Sequence, residues 1–231
     1  KASARALDRD VTRLRVVISG AGAAGVACAK IMLAIGVQDL TIVDSRGIIE
    51  PGRSDLTPIK SDLAARTNPA GRVGGIVEAM EGADVYLGVS TGTVPEEVVA
   101  TMAPDPIIFA LSNPNPEVHP DVAGKYAAVV ATGRSDYPNQ INNVLAFPGV
   151  FRGALDAGAT MITEKMKVAA ANALVDLLGD DVSPDHIVPS ALDERVGPAV
   201  AQAVAEAAVA DGVATRTVLG ADDKPMAGTA G

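Results

Sequence analysis

Residues 16–25 read Val16-Val17-Ile18-Ser19-Gly20-Ala21-Gly22-Ala23-Ala24-Gly25, and this stretch decides the fold. A run of β-branched residues feeds into G-x-G-x-x-G, and a helix-forming segment, Ala23–Ile35, follows. A second apolar run, Leu40–Val43, then ends on Asp44, 19 positions after the third glycine. Strand, glycine turn, helix, strand and terminal acid make up the dinucleotide-binding fingerprint, and each part has a physical task. Gly20 permits the tight turn, Gly22 lets the backbone approach a pyrophosphate, and Gly25 lets the helix pack close to the sheet. The helix N-terminus offers free N–H groups and a partial positive charge to phosphate oxygens. Asp44 can accept hydrogen bonds from the ribose hydroxyls of the adenosine half.

Outward from this stretch, apolar runs alternate with helical segments. Strands are expected at Arg15–Ser19, Leu40–Val43, Val85–Val89, Ile107–Leu111 and Ala127–Ala131, with Ile187–Val188 a candidate sixth. Helices are expected at Ala23–Ile35, Ser61–Arg66, Val73–Met80, Pro95–Met102 and Asp121–Tyr126, then at Val150–Ala157, Glu164–Leu178 and Asp193–Ala210. Thr163 reads as the N-cap of the Glu164 helix. The alternation implies right-handed βαβ crossovers, hence an α/β fold with a doubly wound parallel sheet of Rossmann type and extra C-terminal helices. Residues 1–12 read as a lead-in from a preceding domain, 13–160 as the dinucleotide-binding domain, and 161–231 as C-terminal helices and a tail packing on it. The glycine-bearing tail, 212–231, is expected to be frayed or extended over a partner surface.

Composition narrows the function classes. The 231 residues carry a formal net charge of −9, which argues against a nucleic-acid partner, because phosphate contacts need a basic face. No apolar run approaches the ~18 residues that span a bilayer, so no membrane role is expected. The chain has no initiating Met and no secretory leader pattern, and reads as a piece of a longer, cytoplasmic protein. Cys28, the single cysteine, lies on the apolar side of the first helix and reads as a small buried hydrophobe.

Ligands in such sheets bind beyond the carboxyl ends of the strands. The segments there are polar: Ser90-Thr91-Gly92-Thr93, then Ser112-Asn113-Pro114-Asn115-Pro116-Glu117, then Thr132–Tyr137, and the Asn139–Asn143 loop. Side-chain amides orient a carboxylate or carboxamide without adding charge, which points to Asn113, Asn142 and Asn143. Turn formation accounts equally well for Asn115 and Pro116. Arg134 and Asp136 read as pairing with each other or with a neighbouring segment rather than acting in chemistry. No general acid–base pair and no metal-binding carboxylate cluster emerges from the sequence. Lys165 and Lys167 read as solvated helix residues, and Asp193-Glu194 as helix-opening charges.

The segments VVISGAGAAG, TIVDSRGII, FALSNPNPE, ATGRSDYPNQINNVLAFPGVFRGAL and IVPSALDERV together resemble malic enzyme of the smaller bacterial form, from about Arg13 to Ala210. The resemblance implies the NAD(P)-binding domain of an enzyme that oxidises malate to pyruvate and CO2 with Mg²⁺ or Mn²⁺. It implies a substrate role for Asn113 and for Asn143 or its neighbour Asn142. It implies cofactor contacts from Gly20, Ala21, Gly22, Ala23, Ala24, Gly25, Asp44, Ser45, Arg46, Ser90, Thr91 and Asn113. The family's acid–base Tyr and Lys and its metal ligands belong to segments preceding the equivalent of Lys1, so this chain alone is expected to bind cofactor without turnover. A separate catalytic N-terminal domain is the implied partner, in a homodimer or larger homo-oligomer. Asp44 favours NAD. Arg46, Arg53 and Lys60 follow closely, however, and a basic residue near Lys60 resembles the position linked to NADP use, so NADP stays open. The alternatives are the cofactor domain of an amino-acid dehydrogenase and a non-catalytic nucleotide-binding module.

Overall fold

The structure, a computed structural model, describes residues 1–216. Short helix α1 (Ala2–Ala6) and a 3-10 turn lead into β1 (Arg15–Ser19), and the fingerprint turn carries the chain into α2 (Ala23–Ala34). β2 (Asp39–Asp44) returns beside β1, and a tight turn reverses it into β3 (Gly47–Ile48). Helices α3 (Pro58–Arg66) and α4 (Ile76–Met80) precede β4 (Val85–Gly88). Then come α5 (Glu96–Val99), β5 (Ile107–Ala110), α6 (Pro120–Ala123) and β6 (Val129–Thr132). A 3-10 turn at Asn143–Leu145 opens the final helices α7 (Phe147–Asp156), α8 (Glu164–Asp176) and α9 (Val196–Ala210).

The strand order is β3-β2-β1-β4-β5-β6, with every pair parallel except β2–β3. The chain runs outward from β1 to β3 and then crosses back to β4, so strand order reverses between β1 and β4. That reversal opens a crevice at their carboxyl ends. The two-residue alternation of strand side chains sorts the core. Val16, Ile18, Leu40, Ile42, Val85 and Leu87 face one layer with Ala29 of α2 and Leu63 of α3. Val17, Val43, Tyr86 and Ile108 face the other with Met80 of α4 and Val98 of α5. A third cluster joins α7, α8 and α9 through Met166, Val200 and Val204. Gly149 and Gly153 permit this packing, because a Cβ on Gly153 would stand 2.2 Å from the Ala201 carbonyl oxygen.

The fold is α/β as the alternation implies, with three local corrections. Ile187–Val188 is not a strand; the sixth strand is the antiparallel edge β3. Ile187 is buried instead as a loop residue whose amide donates to Asn139 Oδ1 at 3.0 Å. Four helices open three residues from where expected; α4 starts at Ile76, behind Gly74 (φ +115) and the N-cap Gly75, rather than at Val73. α3 starts at Pro58 behind the cap Thr57 and α7 at Phe147-Pro148, both with proline in the first turn, where its missing N–H costs nothing. α9 starts at Val196, because Asp193 accepts from the Arg195 amide (3.0 Å) and closes a turn ahead of it. Residues 212–216 are neither frayed nor extended away: Val213 and Ala214 pack on the third cluster, and the Thr215 and Arg216 amides donate to the Ala157 carbonyl. The rest of that tail lies outside the described residues. Thr163 caps α8 by accepting from the Met166 amide at 3.2 Å, as its position implies. Among the described residues no helix is long and apolar enough to cross a membrane.

Candidate functional site

The crevice between β1 and β4 widens into a cleft of about 1100 Å³, just above the ~300–1,000 Å³ usual for small-molecule sites. Its walls bring together Gly20, Ala21, Gly22, Asp44, Ser45, Arg46, Ser90 and Thr91. Gly20 adopts φ +118, and a Cβ on Gly25 would fall 1.8 Å from the Gly20 carbonyl oxygen. The turn and the helix behind it therefore exist only with these glycines. A Cβ on Gly22 would meet nothing within 4 Å among the described residues, so this face of the turn is open to the cleft. Among the described residues no side chain caps the N-terminus of α2, which leaves first-turn amides for an anion. Ala23, Ala24 and Gly25 belong to that first turn but do not line the cleft.

The acid at the end of β2 sits in a ring of donors. Asp44 Oδ1 accepts from Arg53 Nη1 (2.8 Å) and the Arg46 amide (2.9 Å), while Oδ2 accepts from Arg53 Nη2 (3.2 Å) and Lys60 Nζ (2.6 Å). Burial alone would push this carboxyl up. The hydrogen bonds from Arg53, Lys60 and the Arg46 amide outweigh that and hold it down at about 2. Arg53 is also bound by Asp55 through Nε (3.0 Å) and Nη2 (2.7 Å). A carboxylate offers about four lone-pair sites, and all four are occupied. Any further hydrogen-bond donor to this carboxylate must therefore displace one of them, and Lys60, on its flexible stem, is the one most easily moved.

The cleft floor holds two buried polar groups that spacing did not single out. Tyr86 on β4 is fully buried, its hydroxyl meets no hydrogen-bond partner among the described residues, and burial pushes the phenol up. Glu117 is 1% exposed and accepts from the Ser90 and Ser112 amides. A glutamate after Asn-Pro-Asn-Pro reads as a surface residue, and the signal that it is buried lies in Gly88, a strand away. The amide candidates stand further along the same edge. Asn113, after β5, lies against Gly133, where a Cβ would meet its amide group at 3.0 Å. Asn142 and Asn143 follow β6, and none of the three lines the cleft. Asn142 Oδ1 accepts from the Val144 amide (3.0 Å), whereas Asn143 is exposed. Asn139 is structural: its Nδ2 donates to the Val130 and Pro184 carbonyls (3.0 and 2.7 Å). Arg134 and Asp136 pair at 2.6 Å, Lys165 is spent on Asp211 at 2.6 Å, and burial pushes the half-buried Cys28 thiol up. Among the described residues no group of three or more His, Cys, Asp or Glu could hold a metal ion.

Switch-point cleft, fingerprint turn, open helix N-terminus and β2 acid define a dinucleotide-binding α/β domain. The family model described as malic enzyme, NAD binding domain, matches residues 1–209. The chain belongs to the malic enzyme family, of which it carries the NAD-binding domain. It is 49% identical over 214 residues to the bifunctional malic/malolactic enzyme of Bacillus subtilis (strain 168), covering 91% of this chain and 52% of that protein. It is 45% identical over 222 residues to the NADP-dependent malic enzyme of Halomonas elongata, covering 87% of this chain and 52% of that protein. The crystal structure of malic enzyme from Pyrococcus horikoshii Ot3 superposes with a TM-score of 0.89 at 37% identity, covering 94% of this chain and 53% of that one. The chain spans about half the length of the curated relatives it matches.

Proposed function

We propose that this chain forms the cofactor wall of a malate oxidoreductase that yields pyruvate and CO2, with the other wall supplied by a separate catalytic domain. The observation that carries the reading is the joining, in one cleft, of the fingerprint turn, the open N-terminus of α2 and Asp44. The residues fit a dinucleotide: open space over Gly22, free first-turn amides and an ionised acceptor at the ribose position. A dinucleotide held there would supply the hydride acceptor for oxidation at C2 of malate. The α2 amides hold the pyrophosphate, Asp44 orients the adenosine ribose, and the Ser90-Thr91 segment lines the path across the end of β4. The family resemblance supports Asn113, at the end of β5, and Asn143 or its neighbour Asn142, after β6, as the amides that orient the nicotinamide end and a substrate carboxylate, although none of them lines the cleft. The described residues offer no donor set for the Mg²⁺ or Mn²⁺ that the family resemblance implies.

For cofactor choice we propose NAD, because a 2′-phosphate would approach the Asp44 carboxylate. Lys60 supports the second reading, NADP, since a Lys60 released from Asp44 can turn to a phosphate. Fluorescence titration of the chain with NADH and NADPH tests both. NADH is expected to bind more tightly, and Lys60→Ala is expected to weaken NADPH about tenfold or more, the worth of one charged hydrogen bond. Absence of NADH binding at millimolar concentration sinks the cofactor reading. The exposed apolar side chains Phe147, Phe151 and Leu155 of α7 support assembly with further protein surface, in a homodimer or with the catalytic domain. A single cysteine, with no disulfide framework to keep oxidised, supports a cytoplasmic location.

A further inference from the structure

The carboxyl group of Glu117 lies beneath the rim of the cleft, and three donors from two loops converge on it. Ser90 N–H donates to Oε1 at 2.9 Å, Ser112 Oγ–H to Oε1 at 2.8 Å and Ser112 N–H to Oε2 at 3.3 Å. The Ser112 hydroxyl also lies against the Ser90 carbonyl oxygen, and the Val94 amide donates to the Glu117 carbonyl at 2.8 Å. Among the described residues no cation pairs with Glu117. A group of this kind is costly to bury and persists only where its hydrogen bonds are met.

Two further observations show what the arrangement holds in place. Gly88 ends β4, and a Cβ there would fall 2.6–2.8 Å from the Glu117 carboxyl atoms, so the strand itself is cut away to seat this group. Ser90, pinned at its amide, packs against the fingerprint: a Cβ on Gly20 would stand 3.0 Å from Ser90 Cβ, and the Ser19 and Ser90 hydroxyls lie 3.2 Å apart. Ser112 in turn fixes the chain immediately before Asn113. One side chain thus ties the end of β4, and through it the end of β1, to the end of β5.

We propose that Glu117 is a positioning residue for the nicotinamide half of the cofactor, acting through Ser90 and Ser112 rather than by touching the ligand. The inference rests on the cofactor reading above. Asp44 marks the adenosine half at the end of β2, so the other half of the dinucleotide runs across the ends of β4 and β5, where the Glu117 clamp lies. Glu117→Gln keeps the shape but replaces one acceptor oxygen with an NH2 donor. Whichever way the carboxamide turns, a donor then faces a donor and one loop is released.

The experiment titrates the full chain and its variants with NADH and with AMP, well below their melting midpoints, with folding checked by circular dichroism. NADH affinity in Glu117→Gln is expected to fall about tenfold, equivalent to about 1.4 kcal/mol, with AMP affinity unchanged within about twofold. Ser112→Ala, which removes only a hydroxyl, is expected to lower NADH affinity about threefold with the same indifference to AMP, and it decides the matter if Glu117→Gln does not fold. Equal loss for both ligands, or no loss for NADH in a folded variant, overturns the proposal. If the unmodified chain binds AMP and NADH equally weakly, the cofactor reading itself fails, and that outcome is visible before any variant is compared.

Discussion

At Asp44 four donors converge on one side chain that is 8% exposed, which makes its ionisation a structural matter as well as a binding one. Its folded value, about 2, lies below the ordinary 3.8. The ionised carboxylate therefore stabilises the fold above about pH 4, and that contribution is lost as pH falls through the folded value. At 1.36 kcal/mol per pKa unit the contribution is about 2 kcal/mol. Urea midpoints at about pH 5 and pH 2.5 should show a loss in the unmodified chain that is about 2 kcal/mol smaller in Asp44→Asn. An equal acid loss in both proteins would show that the donor ring does not act on this group. Asp44 was legible from the sequence because the fingerprint fixes its offset. Its partners were legible only as nearby positive charge: the β2–β3 reversal that folds Arg53 and Lys60 back onto it leaves no periodic trace.

Among the elements, long parallel strands and the fingerprint helix follow directly from apolar alternation, whereas the edges and connections do not. Ile187 looks like a strand residue because it is apolar and buried, yet its amide partner is a side chain, Asn139, and not a neighbouring strand. Three hydrogen bonds from that one amide group join the end of β6 to the 184–187 loop. Asn139→Ala leaves two carbonyls and one N–H unpaired, and at about 1 kcal/mol per hydrogen bond it should cost about 3 kcal/mol of unfolding free energy. Chemical denaturation measures this, and a cost under about 1 kcal/mol would mean that water replaces the bonds. The Asn139–Asn143 stretch reads from sequence as one amide-rich loop. In the structure it divides, with Asn139 holding the fold, Asn142 capping a turn and Asn143 left exposed.

On the scale of the whole molecule, the described lining of the cleft brings together the fingerprint glycines, the Ser90-Thr91 segment and the acid at the end of β2. Lys165 and Tyr137, the side chains nearest in type to an acid–base pair, are engaged with Asp211 and Asp121. The chain alone is therefore expected to give no NADH when supplied with malate, Mn²⁺ and NAD, while NADH raises its melting midpoint by mass action. Measurable turnover by the isolated chain would show that a catalytic group within it has been misread. The cofactor side of the cleft was legible because local glycine spacing encodes it. The Glu117 clamp was not, since its meaning depends on Gly88, Ser90 and Ser112 meeting in three dimensions.

The two borders of the sheet carry a last consequence, one for how the protein keeps company with itself. On one side β3 is only two residues long and is closed by the Ile48 amide donating to the Gly74 carbonyl; on the other, Gln140 bridges Thr132 and the Ile141 amide donates to its carbonyl. Among the described residues neither border offers a run of unpaired amides for another molecule's strand. Crowded copies of this chain are thus steered away from ribbon-like aggregation through either border of the sheet.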